Sequence, residues 1–425
     1  MYIEEFSLEN VRTFRNLTMD LCRDGEPARK IFIYGNCGTG KTTILQALAL
    51  LLADHYTRDI LATPTQMISK SAANAKIGIR IQQGRHDQGS STSRHFQYGD
   101  ILIPGRSFLP DGRETMAWLD RYAFQSGTRG WFTASYGVNR HVGTDSELIR
   151  GRYYDHATHF HRLFGTQEPM PEFENWLIGL EAKIQSGETQ YIYIRDRAIA
   201  TLNALLPDED CFDGHDDLGK GGRSYLSIRG IATPFFELST SYSAALALFG
   251  DLIVRLSSAY PDSPNPFYEE GVVLIDNMEV HLDSDWQASI APVLFRQFPN
   301  LQFIITTASQ YVIAGAGPDA MVRTLNHEPR LSQGGQDTTT DAADEDWRNM
   351  PIETTRGKIT LDQEHHQALA DLGSEWATLE KNPYLDDLVS LGLAERKSPK
   401  GQSFNVMACY RLTKLGNRVT DKRRN

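Results

Sequence analysis

Apolar residues fall along this chain in two alternating rhythms. Ile31 to Tyr34 reads IFIY, GNCGTG follows, and then TTILQALALLLADHY runs nearly continuously apolar among strong helix formers, which predicts strand, loop and buried helix. GVVLI runs into Asp276 as a second buried strand, and NLQFIITTAS is a third that ends in hydroxyls. Helical spacing marks PEFENWLIGLEAKI, WQASIAPVLFRQF and the Ala/Leu-rich STSYSAALALFGDLIVRL, the last opened by hydroxyl residues suited to capping it. Strands alternating with helices predict an α/β fold, a mainly parallel sheet with helices on both faces. Gly84 to Arg113 reads as irregular or β-hairpin insertion, and Leu206 to Gly222 as an acidic, glycine-rich loop ahead of the strand edge YLSIRG. The insertions are placed at about 84–115 and 150–225.

Leu331 to Met350 is polar and poor in apolar residues, so the first domain is drawn at 1–330 and a linker at 331–357. Beyond it, EHHQALADLGSEWATL and NPYLDDLVSLGLAER read as helices, KSPKGQ as a turn, FNVMACYRL as a strand and TKLGNRV as a short helix. That order over 358–425 matches a winged-helix module, and a small docking domain fits it equally.

Composition narrows the setting. The 425 residues are 40% hydrophobic and 23% charged, an ordinary globular balance. Cys22, Cys37, Cys211 and Cys409 form no C-x-x-C pair, so neither a disulfide framework nor a zinc ribbon is indicated. MYIEEFSLEN carries acid where a signal peptide needs base, and no apolar run reaches roughly 18 residues, so a cytoplasmic protein without a membrane partner is expected. The net charge of -11 argues against a nucleic-acid coat, yet nine Lys or Arg against two acids follow from Glu395 onward. A solvated tail is the plainer account of that run; DNA or RNA binding is the sharper one.

GNCGTGKTT, Gly35 to Thr43, matches the P-loop pattern between a strand and a helix. Its glycines let successive amides and the helix N-terminus face phosphate oxygens, so Asn36, Gly38, Gly40, Lys41, Thr42 and Thr43 form the expected nucleotide cradle. Lys41 is expected on the β and γ phosphates, and Thr42 with Asp276 on magnesium; ATP and Mg2+ are the cofactors implied.

EEFSLENVRTFRNLTMDL resembles the first hairpin of RecF/SMC-type ABC ATPases, with Asn10, Val11, Arg12, Thr13 and Phe14 in the family's opening pattern. The P-loop, LSTSYSAALALFGDL, LIDNMEVHL and FIITTAS then resemble, in order, every element of that family except a clear Q-loop, from Met1 to about Gly315. The resemblance implies an ABC-type ATPase head in which Arg12 joins the nucleotide site. WFTASYGVNR and HRLFGTQEPMPEFENWLIGL are also similar to stretches of small bacterial ATPases from Septu-type, retron-linked and OLD-like antiphage systems.

Three positions depart from the family pattern. The signature reads Leu238, Ser239, Thr240, Ser241, a serine where a glycine amide would approach the partner's γ-phosphate. Asn277 follows Asp276 where a glutamate would accept a proton from water, and Ala308 stands for the switch histidine. A missing general base costs about 10² to 10⁴ in rate. Glu279 and His281 lie just past the strand and are the candidates to substitute as base. All three changes act on the γ-phosphate and attacking water, so the chain is expected to bind ATP and hydrolyse it slowly or not at all. It is read as a head-to-tail homo-oligomer controlling an effector protein in antiphage defence. The alternatives are an active DNA-repair type ATPase and an ATP-switched winged-helix transcription regulator.

Overall fold

The computed structural model of the protein describes residues 1–85, 99–103, 108–110, 114–123, 131–140, 160–165, 172–207, 209–215 and 224–325, with the strand segments 340–341, 352–354, 357–359, 377–380, 394–397 and 407–412. Its centre is a six-stranded sheet. Met321–Thr324, the P-loop strand Lys30–Tyr34, the switch strand Leu301–Thr307, the Walker B strand Gly271–Ile275 and Thr133–Tyr136 lie side by side in parallel. Thr340–Asp341 adds an antiparallel edge. The Walker B and switch strands are buried at every position, as a sheet covered on both faces requires.

Successive residues of these strands enter opposite cores, because side chains alternate across a sheet. Ile31, Ile33, Val272, Leu274 and Ile304 join the core containing the helix Lys41–Leu51. Phe32, Val273, Ile275, Phe303 and Ile305 join the other, with the helices Thr240–Ala259 and Ser284–Gln297. A five-stranded antiparallel sheet, ordered Phe14–Asp20, Tyr2–Val11, Ala75–Gln82, Gly99–Ile103, Leu109–Pro110, packs onto the first core. Gln302, fully buried, stitches the sheets together: its amide donates to Ile3 O and Ala28 O at 2.8 Å each and its Oε1 accepts from Ile3 N at 2.7 Å.

Several expectations are corrected. The run TTILQALALLLADHY is two helices, because Asp54 accepts from Thr57 N at 3.1 Å and caps a second helix, His55–Leu61, that begins afresh after Leu51. The acidic segment before YLSIRG contains a strand, Cys211–His215, which makes Ser224–Ile228 the central strand of a three-stranded sheet instead of an edge. The hydroxyls opening Thr240–Ala259 do not cap it through their side chains. That helix also has the length and mean hydropathy, 1.2, of a membrane span, against the expectation that no run is long enough; 72% of its window is buried inside the protein, as in a core helix. Inside the segment read as an irregular or hairpin insertion, Gly99–Ile103 pairs antiparallel with Leu109–Pro110; its other partner, Ala75–Gln82, lies before that segment.

In the C-terminal region, Ala377–Glu380, Met407–Leu412 and Ala394–Lys397 form a three-stranded antiparallel sheet. The ends of both expected helices are therefore strands, and Ile352–Thr354 in the expected linker pairs with Gly357–Ile359 across the linker's expected end at 357. The remainder of the winged-helix assignment lies outside the described residues.

Candidate nucleotide site

The P-loop closes over its own lysine. Lys41 Nζ donates to Gly35 O at 2.6 Å and Asn36 O at 2.9 Å, while Thr39, also buried, donates to Asn36 O at 2.9 Å. Gly38 and Gly40 have φ of 81° and 95°, the left-handed conformation that aims loop amides inward. A Cβ on Gly40 would lie 2.5 Å from Phe14 Cζ, so the N-terminal hairpin seats the loop from below, whereas Gly38 faces open space.

At the helix start, Thr42 Oγ1 donates to Asp276 Oδ2 at 2.7 Å. Thr306 Oγ1 donates to Asp276 Oδ1 at 2.6 Å and accepts from Asn277 N at 2.9 Å. This places the carboxylate, 3% exposed, between a helix-start hydroxyl and a strand-end hydroxyl. An open left-handed amide loop, a lysine resting on carbonyls that a phosphate would outcompete, and paired hard oxygen donors fit ATP with Mg2+. Lys41 and the loop amides would hold phosphate, and Thr42 with Asp276 the cation; the cation's chemistry there is to neutralise phosphate charge.

The other expected residues separate. Arg12 lies along the P-loop helix: Nη1 donates to Gln46 Oε1 at 2.6 Å and Thr43 Oγ1 at 3.4 Å, and Nε to Gln66 O at 3.1 Å. Burial pushes its pKa down. Asn36, exposed, supplies a carbonyl to the loop. Asn277 adopts φ 45° beyond Asp276. Glu279 points at the switch strand, accepting from Thr307 Oγ1 at 2.6 Å and Ala308 N at 2.8 Å. His281 is exposed at φ 68°, and its carbonyl accepts from Ser241 Oγ at 2.6 Å. Ser239 and Ala308 are exposed.

Sequence reasoning missed Thr306, Thr307 and Arg140 as site residues. The hydroxyls at the end of FIITTAS were a signal; Arg140, closing WFTASYGVNR, carried none. Arg140 is 2% exposed and its Nη2 donates to Asn277 O at 2.6 Å and Asp276 O at 3.1 Å. Burial pushes its pKa down to about 10, against the pull of Asp276 and Glu279.

Behind the site, Asp251 on the helix Thr240–Ala259 accepts from Arg255 Nε at 2.6 Å, Tyr136 OH at 2.9 Å and Arg162 Nη1 at 3.2 Å. All four side chains are buried. Burial raises the Asp251 pKa, but Arg255 and Arg162 outweigh it and leave it lowered.

A parallel sheet with the switch strand between the P-loop and Walker B strands, an N-terminal antiparallel sheet and a Thr42–Asp276 pair are the α/β arrangement that the resemblance to SMC/RecF-like ABC heads implies. The sequence comparisons agree with the recognition drawn from the motifs. Residues 5–101 match the family described as AAA domain. The chain is 40% identical over 82 residues to the Retron Ec83 probable ATPase of Escherichia coli, 19% of this chain and 15% of that protein. It is 23% identical over 332 residues to the Septu protein PtuA of Bacillus mycoides (strain KBAB4), 77% of this chain and 41% of that protein. These alignments span less than half the length of either relative. The crystal structure of an SmcHead bound to the C-winged helix domain of ScpA superposes with a TM-score of 0.49 at 15% identity, over 86% of this chain and 99% of that one.

Proposed function

We propose that the chain is a cytoplasmic, defence-associated ATP-binding head that holds Mg2+-ATP and turns it over slowly or not at all. The observation carrying this reading is the contrast around Asp276. Its carboxylate is 2.7 Å from Thr42 Oγ1, ready to share a cation, while the next residue is Asn277, whose amide cannot take a proton from water. Glu279, the nearest alternative base, is committed to Thr307 and Ala308 N. A retron probable ATPase and a Septu protein among the relatives support the defence setting.

In a head-to-tail homodimer each composite site would take Lys41, Thr42 and Asp276 from one chain and Ser239 to Ser241 from the other. Bound ATP then acts as glue or as a sensed ligand, and the output is the activity of a separate effector protein. The basic C-terminal residues support a contact with nucleic acid or with that effector.

Calorimetry with ATP and Mg2+, paired with phosphate release, tests the reading. Wild type is expected to bind, and Lys41→Ala to lose binding. Wild-type turnover within the ordinary enzymatic range of about 1 to 10³ per second refutes it.

A further inference from the structure

The turn from Asn277 to Leu282 contains two non-glycine residues in the left-handed region, Asn277 at φ 45° and His281 at φ 68°. Such backbone persists where the surroundings over-determine it. Here the ties are visible on three sides. Toward the switch strand, Met278 N donates to Thr306 O at 3.1 Å, and the Glu279 carboxylate takes Thr307 Oγ1 at 2.6 Å and Ala308 N at 2.8 Å. Toward the signature helix, Ser241 Oγ donates to His281 O at 2.6 Å. From behind, buried Arg140 donates to the carbonyls of Asp276 and Asn277.

We infer that Glu279 and Ser241 are positioning residues that splice the signature helix, the turn after Asp276 and the end of the switch strand into one unit, so that nucleotide at Thr42–Asp276 is reported to the signature surface within a single chain. A glycine at 241 would have no hydroxyl to give His281 O. The serine that departs from the ABC pattern therefore has a structural use of its own. The switch is likewise held by a carboxylate from the turn, through the backbone of residue 308, where the side chain is only a methyl. The Glu279 bonds are charge-assisted and partly shielded, which makes them the stronger tie. The relay rests on the proposal that this site takes ATP; the splice itself does not.

Hydrogen–deuterium exchange separates the two. In nucleotide-free protein, Glu279→Gln is expected to speed exchange of the Ala308 amide about tenfold. Ser241→Ala is expected to speed the amides of 278–282 and, because one turn joins both ends, the Ala308 amide as well, with Ser241→Thr restoring wild-type rates. An unchanged Ala308 rate in Ser241→Ala overturns the splice. With Mg2+-ATP added, wild type is expected to gain protection at residues 241–243, and Glu279→Gln to bind ATP without that gain. Equal protection in Glu279→Gln overturns the relay and leaves Glu279 a local brace. A wild type that binds no ATP sinks the relay together with the proposed function, while the nucleotide-free arms still decide the splice. Thermal melts of each variant confirm that it is folded.

Discussion

Replacing Asn277 by glutamate sets the gain of a base against the geometry of the turn. Asparagine tolerates the left-handed φ of 45° found here, whereas glutamate in that region costs about 1 kcal/mol. The new carboxylate would sit one residue from Asp276 and two from Glu279, and like charges in partly shielded surroundings add about another 1 kcal/mol, softened by Arg140 behind the turn. A loss of about 2 kcal/mol lowers Tm by roughly 2 °C in a protein of this size. Against that, a general base is worth about 10² to 10⁴ in rate. Single-turnover hydrolysis of ATP at saturating Mg2+, beside a thermal melt, reads both quantities. The expected outcome is a modestly less stable protein that hydrolyses at least about tenfold faster than wild type. If Asn277→Glu binds ATP with wild-type affinity, melts as expected and still fails to accelerate, then the missing carboxylate is not what limits turnover. The reading of Asn277 would then be wrong.

Two further outcomes follow from the same geometry. Asp251→Asn removes the carboxylate that buried Arg162 and Arg255 share, which costs about 3 to 5 kcal/mol and lowers Tm by roughly 3 to 6 °C. Because the folded Asp251 pKa is depressed, its contribution is full above the unfolded value of about 3.9 and fades only as pH falls through the folded one, so the deficit should be constant from about pH 5 to 8; a deficit that changes within that window would refute the assignment. Gly40→Ala places a methyl 2.5 Å from Phe14 Cζ at φ 95°, and is expected to weaken ATP binding more than about tenfold by calorimetry. Affinity within about threefold of wild type would show that the hairpin does not seat the loop.

Three strands of the central sheet, Lys30–Tyr34, Gly271–Ile275 and Leu301–Thr307, were legible because each is a buried apolar run with a chemically distinctive end: Gly35 after IFIY, Asp276 after GVVLI, the hydroxyls closing FIITT; Thr133–Tyr136, Met321–Thr324 and Thr340–Asp341 carried no such signal. The P-loop was legible from its spacing between strand and helix, and the Thr42–Asp276 pair, distant in sequence, from the buried strand that ends in an aspartate, the usual second partner of a P-loop hydroxyl on magnesium. What stayed hidden depends on contacts distant in sequence. Arg140 is set by 136 and 137 residues of separation from the carbonyls it holds, and nothing in YGVNR marks it. The break after Leu51 was hidden because Asp54, as an N-cap, looks like any polar residue in a helical run until Thr57 N is seen bonded to it. YLSIRG was misplaced at an edge because the strand beside it, CFDGH, has an acid and a glycine where β-formers are expected.

The three departures from the ABC pattern acquire a common sense from where they sit. Ser241, Asn277 and Ala308 are on three elements that meet at one turn, and each enters that turn's bonding: Ser241 by its hydroxyl, Asn277 by its amide to Thr306, Ala308 by its amide to Glu279. The phosphate and cation groups Lys41, Thr42 and Asp276 lie on the other side of Asp276 and keep the family's residue types. Random decay of a site would strike the P-loop as readily as the turn. Of the replaced positions, Ser241 is engaged through its new side chain, while Asn277 and Ala308 bond through backbone amides that any residue there would supply. On the proposed function, a site that keeps Lys41, Thr42 and Asp276 and ties the turn after Asp276 to the signature helix fits a protein whose useful state is the bound one. On the proposed function the fixed turn would slow turnover alongside the missing carboxylate, because a turn braced on three sides resists the movement that would bring any base to water.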